Sequence, residues 1–456
     1  MSKIRMKQTL LTIAVAGALA VPATAFAQAK APERAAGLEP LGGAAKNELL
    51  IFGRANLGID TYSATGATAG SGADYKSRTR VYDAASRLGF RGTELLGNGL
   101  KATFNIESGV NMDTGSQASQ SGATNISTGA LASRIANVSL VFPQQGQISF
   151  GRTNVWWSNG TIEQTGANYI NTGISTSSGS FGRGLGVGIS RVSNLFQYIT
   201  PVFAGGTYAS FSYSPTSEAS PAGGNTDGKL LAVSVEGATG VFQWGVDWAK
   251  STASSIGSAG IATAVPAQVN VGGSGVTVPG LAAGSLAGRQ QASSGQKLRF
   301  GWWYTPGGKI AVIWDKSIQD YGGSFGGLAS NPDPTASRLT QAAWSLSWEH
   351  RFGNFQGLAQ WGKLGNIQGC VTVRACDNTN ATQWLLALRY IFSPRTWLYA
   401  SYNATRNASN YNIDYIPGGQ TSATAGGTTL SGAGGLPVSS VGADPRIFAL
   451  GIQHRF

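Results

Sequence analysis

Charge is scarce in this chain. Only 12% of its 456 residues are Asp, Glu, Lys or Arg, and the balance is basic, 33 cations against 21 anions, for a formal net charge of +12. So little charge, with 10% aromatics scattered through the chain, excludes a disordered polycation. Histidine occurs twice, at His350 and His454. Each falls on the apolar parity of its strand, and no serine can be placed beside either, so the chain is read as a non-enzyme. Cysteine also occurs twice, at Cys370 and Cys376. With no histidine nearby and Asp377 the one local carboxylate, they are not a metal site, and neither a metal nor a cofactor is expected. In an oxidising, exported setting the pair is expected to close a small loop as a disulfide. Long apolar runs are missing too. After Ala27 none reaches the ~18 residues of a spanning helix.

What is present begins with a leader. Lys3, Arg5 and Lys7 form a basic start, Leu10 to Val21 a short apolar core, and Ala25-Phe26-Ala27 a small-x-small cleavage pattern. Residues 1–27 are therefore read as a signal peptide rather than an anchor, with the mature chain starting at Gln28. Residues 28–48 have no sustained periodicity and read as a flexible segment. Export makes nucleic acid the least suitable partner for the basic balance and leaves anionic surfaces or solutes.

From Leu49 to the end, apolar and polar residues alternate. Trp344, Leu346 and Trp348 alternate with Ser345, Ser347 and Glu349; Phe242, Trp244, Val246 and Trp248 alternate with Gln243 and Asp247. The last eleven residues put Phe448, Leu450, Ile452, His454 and Phe456 on one face and Ala449, Gly451, Gln453 and Arg455 on the other. Seven tight turn sequences (96–99, 143–146, 204–206, 238–240, 306–308, 352–354, 393–395) alternate with eight long joints (63–82, 113–132, 154–190, 215–228, 252–294, 319–338, 366–381, 412–445). That pattern predicts an all-β fold over 49–456, a sixteen-stranded antiparallel transmembrane barrel with short periplasmic turns and long extracellular loops. A soluble β-sandwich is the competing fold, and it would leave rows of Trp, Phe and Leu facing water.

The segments Ser86–Glu94 and Leu96–Ser108, with Ile148–Arg152, Arg191–Tyr198 and the closing Phe456, resemble the sixteen-stranded general diffusion porins of Gram-negative bacteria, β-proteobacterial members above all. The resemblance implies an outer-membrane homotrimer, contacting lipid and lipopolysaccharide, that passes small hydrophilic solutes. It also implies insertion by the barrel-assembly machinery with Phe456 as assembly signal, and a third loop folded into the lumen. This chain departs from the family in its longer start, its long Gly-rich outer loops, and a third loop without the usual Pro-Glu-Phe-Gly-Gly-like stretch.

Transport through a pore depends on the geometry and field of its wall. Positions matching Arg54, Arg87, Arg134 and Arg191 form a basic ladder in the family the chain resembles. Parity puts Arg54, Arg87 and Arg191 on polar faces and Lys101 with Thr103, Asn105 and Glu107, whereas Arg134 shares parity with Ala136, Val138 and Leu140. Glu163 and Arg183 are the only charges of 154–190. Arginines facing one carboxylate predict an anion-preferring constriction built from Arg54, Arg87, Arg134, Arg191, Lys101, Glu107 and Glu163. The alternative is neutralisation by Glu163, Glu107 and Asp60. Arg152 shares parity with Ile148 and Phe150, and either reaches across a subunit contact or rises to the headgroups. Trp302, Trp303, Trp344, Trp348, Trp361, Trp384, Trp397 and Tyr399 are expected in lipid-facing girdles. An adhesin using the long loops, and a receptor needing a plug that residues 28–48 are too short to form, fit less well. A substrate-specific channel with a solute-binding third loop is the nearest rival.

Overall fold

The computed structural model describes residues 45–69, 74–84, 86–113, 116–117, 132, 134–155, 192–203, 206–215, 228–255, 268–269, 277–278, 282–283, 285, 289–321, 332–411, 423–425, 428–430 and 441–456. The signal peptide, nearly all of residues 28–48, and residues 156–191, which take in most of the third loop (154–190) with Glu163 and Arg183, and Arg191 after it, lie outside them.

Sixteen antiparallel strands close into a barrel. They are β1 (Glu48–Thr65), β2 (Tyr75–Asp83, resuming as Arg87–Gly97), β3 (Leu100–Asn111), β4 (Ile135–Phe142), β5 (Gly146–Thr153), β6 (Val192–Ile199), β7 (Tyr208–Pro215), β8 (Lys229–Thr239), β9 (Phe242–Ser255), β10 (Gln290–Thr305), β11 (Gly308–Asp320), β12 (Arg338–Phe352), β13 (Phe355–Leu364), β14 (Ala381–Ser393), β15 (Thr396–Asn407) and β16 (Asp444–Arg455). The two pieces of β2 are one stave, because both pair with β1: Leu57–Ala64 against the first and Glu48–Arg54 against the second. Closure comes from β1 and β16, in register from Arg54↔Arg455 to Thr65↔Asp444. It leaves neither terminal strand with an unpaired edge, as hydrocarbon requires.

The alternation along each strand is what sorts the two faces. In β12, Trp344 and Leu346 are 52% and 46% exposed, while Ser345 and Ser347 are 3% and 2%. Exposed leucines and aromatics form the outer wall, and buried Ser, Gln, Asn and charged residues the inner one. Six of the seven tight turns fall where the sequence put them, and the seventh, 204–206, lies mostly outside the described residues. At the first, Asn98 and Gly99 both have positive φ, 51° and 78°, the conformation a two-residue hairpin turn demands.

Two expectations are corrected. The first long joint is shorter than 63–82, because β1 runs to Thr65 and β2 starts at Tyr75. The run Tyr75-Lys-Ser-Arg-Thr-Arg-Val-Tyr82 carries β-forming residues that pair with the end of β1. Trp303, Trp397 and Tyr399 face the lumen and not lipid. Trp397 and Tyr399 are buried on the parity of Ser401, Asn403 and Thr405, while Leu398 and Tyr402 take the outside. Trp303 has the parity of Lys297 and Arg299, and Lys309 Nζ lies 5.3 Å from its ring centroid. Trp344, Trp361 and Trp384 do face outward. The outer girdle at the short-turn end includes Tyr304, Trp348, His350 and Phe352, with the Trp348 indole donating to the Tyr304 hydroxyl at 2.8 Å.

Candidate functional site: the charged inner wall

The basic ladder is organised by a break in β2. Between Asp83 and Arg87 the strand leaves its ladder, and inward-facing groups of β1 fill the gap. The Ser86 hydroxyl accepts from the Asn56 backbone at 2.9 Å, and Asp83 Oδ1 accepts from the Ser86 backbone at 2.8 Å. Arg54 donates to the Ala84 carbonyl at 3.1 Å, so its guanidinium is turned to the inside of the bend.

Glu107 on β3 is the local counter-charge. Its carboxylate lies 2.6 Å from Arg134 Nε and 3.3 Å from Arg87 Nε, and its side chain is almost fully buried. Arg134, whose parity gave it no wet surroundings, thus joins the inner wall. It stands one residue before β4, where the chain has not yet taken up the strand's alternation. The structure therefore brings Arg54, Arg87, Arg134 and Glu107 to one stretch of wall. Lys101 shares the face of Glu107 but lies six residues nearer the short turn, roughly 20 Å along the strand, away from this cluster. Arg152 is partly exposed, and its guanidinium donates to the Ser193 hydroxyl of the neighbouring strand at 2.8 Å. Cys370 and Cys376 are joined in a disulfide. Phe456 pairs its backbone with Gly53 in both directions (3.0 and 3.2 Å), and its ring occupies the space a Cβ on Gly53 would need.

Sequence reasoning missed charges that lie farther along the wall. Arg299 on β10 is fully buried between Glu236 on β8 and Asp247 on β9, with its Nε 2.8 Å from Asp247. It lies flat over Gly245, whose missing side chain makes the room. Lys297, Lys309, Asp315 and Glu349 are also buried on this inner wall. Their signal was available: each interrupts an apolar alternation on the polar parity. Among the described residues no group of His, Cys, Asp and Glu could hold a metal.

A family profile described as Gram-negative porin matches residues 12–410. The chain belongs to the Gram-negative porin family. This porin is 35% identical over 127 residues to an outer membrane porin protein of Bordetella pertussis, covering 26% of this chain and 28% of that one. It is 33% identical over 69 residues to the major outer membrane protein P.IB of Neisseria gonorrhoeae, covering 15% and 20%. The porin thus aligns with about a quarter of the length of these curated relatives. Among solved structures, the anion-selective porin from Comamonas acidovorans matches with a TM-score of 0.58 at 17% identity, over 90% of this chain and all of that one. The outer membrane channel DcaP of Acinetobacter baumannii matches with a TM-score of 0.53 at 13% identity, over 92% and 100%. Both share the fold. The porin's place is the outer membrane, which the barrel crosses many times.

Proposed function

We propose that this porin is a water-filled channel for passive diffusion of small hydrophilic solutes and ions, with anions preferred, and that it carries out no catalysis. The observation that carries the preference is a row of arginines across three neighbouring strands. Arg455, Arg54 and Arg87 are direct cross-strand partners, Arg455↔Arg54 and Arg54↔Arg87. Like charges placed directly opposite each other weaken a sheet by roughly 0.2–1 kcal/mol per pair. A folded barrel has no use for that cost, whereas a wall that gathers anions does. Glu107 offsets part of the field, at Arg87 and Arg134. The description of the Comamonas porin as anion-selective supports the same reading.

The working unit in this proposal is a homotrimer in lipid and lipopolysaccharide, inserted by the barrel-assembly machinery through Phe456, with Arg152 near the subunit contact. In this proposal Arg191, on the wall with the other arginines, and Glu163, in the third loop, complete the constriction. The test is the reversal potential of the purified protein across a planar bilayer in a KCl gradient. Anion preference sets its sign, and a cation preference would overturn the assignment. Current that saturates with one solute would instead favour a substrate-specific channel.

A further inference from the structure

The outer wall, which lines no part of the lumen, changes character along its height. At the short-turn end its girdle includes Tyr304, Trp348, His350 and Phe352. Farther up, three strands point a lysine outward. Lys250 on β9, Lys316 on β11 and Lys363 on β13 each stand eight residues after the first residue of their strand, and two residues after Trp248, Trp314 and Trp361 respectively. Each lysine shares the outward parity of its tryptophan; Lys250 and Lys363 are exposed and Lys316 is half-buried. Eight residues of a tilted strand rise roughly 20 Å, near the ~25 Å height of the apolar band. The lysine stems then run over apolar wall, and their ammonium groups reach the headgroups at the long-loop end. Trp344 joins the same surface. It is the direct cross-strand partner of Lys363, and its ring centroid lies 6.4 Å from that of Trp314. Among the described residues no hydrogen bond or ion pair occupies these three ammonium groups. Asp320, the outward acid of β11, is held instead by Arg338 at 2.7 Å. Arg406 and Arg446 stand at the same end of β15 and β16, where Asp444 offsets them.

We propose that Lys250, Lys316 and Lys363, each with its tryptophan, dock the phosphorylated sugar headgroups of lipopolysaccharide in the outer leaflet. The ammonium group is a compact point charge that pairs with a phosphate. The flat apolar face of the indole two residues below covers the sugar ring that carries it. A phospholipid offers the phosphate without the ring, and an unphosphorylated glycolipid the ring without the charge, so neither matches both halves of the unit. The inference rests on the outer-membrane reading above and deepens it, by naming which part of the lipid is recognised and by which residues.

The test is the anisotropy of fluorescently labelled lipopolysaccharide titrated with the purified protein in non-ionic detergent. Dephosphorylated lipopolysaccharide and phosphatidylglycerol serve as competitors. Intact lipopolysaccharide should bind, more weakly as salt rises, and each competitor should displace it at least about tenfold less well than unlabelled lipopolysaccharide. The triple variant Lys250→Gln, Lys316→Gln and Lys363→Gln should raise the dissociation constant about tenfold or more. Trp344→Leu with Trp361→Leu keeps the surface apolar, removes the flat faces beside Lys363, and should weaken binding about threefold to tenfold. All these side chains point away from the lumen, so a folded variant keeps its KCl conductance and its fast-migrating form on unboiled gels. If the triple variant does not fold, each lysine is replaced singly, and a wild-type constant in all three single variants would overturn the docking surface. So would wild-type binding by the folded triple variant, or competition by either competitor at the level of lipopolysaccharide itself. A variant that falls apart into monomers would assign the patch to the subunit contact and end the lipid assignment. A barrel that binds lipopolysaccharide as expected yet passes no KCl would refute the channel reading and leave the docking surface standing.

Discussion

At the scale of single residues, Glu107 has two jobs that pull against each other. It holds Arg87 and Arg134 in place, and it cancels charge that would otherwise attract anions. Glu107→Gln keeps the shape and removes the charge. The expected outcome is a larger chloride-over-potassium permeability ratio, read from the reversal potential, with a stability loss of about 1–3 kcal/mol in denaturant. An unchanged ratio would mean that Glu107 is a purely structural tie. Gly58 works by what it lacks. A Cβ there would lie 2.3 Å from the Leu450 carbonyl of β16 and 2.6 Å from the Tyr82 hydroxyl. That hydroxyl is bonded to Tyr399 at 2.6 Å, and Tyr399 donates to Asn56 at 2.9 Å, so the tyrosines tie the seam from inside. Gly58→Ala should reduce the yield of the fast-migrating, heat-modifiable form on unboiled gels.

At the scale of elements, the loop between β13 and β14 is clasped to Asp333, in the connection between β11 and β12. Asp333 accepts from the backbones of Val371 and Thr372 at 2.9 and 2.7 Å and from the backbone and hydroxyl of Thr335. The disulfide closes the loop that carries Val371 and Thr372. Burial by itself would raise the Asp333 carboxyl, but the bonds from Thr335 and Thr372 outweigh it and hold it below its ordinary 3.8. A carboxylate held low in the folded state stabilises above its unfolded value and loses that contribution as pH falls through the lower, folded one. The clasp should therefore hold at neutral and mildly acid pH and loosen only below about 3.8. Asp333→Asn should loosen it at every pH, measured as faster protease nicking within 366–380. Loss of the disulfide in Cys370→Ser with Cys376→Ser should add to that nicking, by roughly 2 kcal/mol of local stability from loop closure.

At the scale of the whole molecule, the barrel exists because β1 and β16 meet, and Phe456 is the last residue of that seam. Deleting Phe456 removes two backbone bonds to Gly53 and the ring that covers it. The expected outcome is a sharp fall in heat-modifiable protein in the outer membrane, measured by fractionation and unboiled gels. A normal amount would show that closure does not depend on the terminal residue.

The fold was legible in the chain because a barrel wall is written at a period of two. Oil on one side and water on the other impose that period on every strand, and the Ser345/Trp344 alternation needs no tertiary information to be read. The site was only partly legible. Arg54, Arg87 and Glu107 follow from parity, but Arg134 does not, because it stands just outside β4, where parity has no meaning. Trp397 and Tyr399 misled because an aromatic residue suits either face, and only the polar residues sharing their parity tell which. Nothing in the linear order brings Arg455 beside Arg54, about four hundred positions away, or sets it with Arg389 over the Trp397 indole. Alternation alone determines which way each side chain points. Which strand lies next to which, and therefore which charges share a wall, is decided only when the ends of the chain are joined.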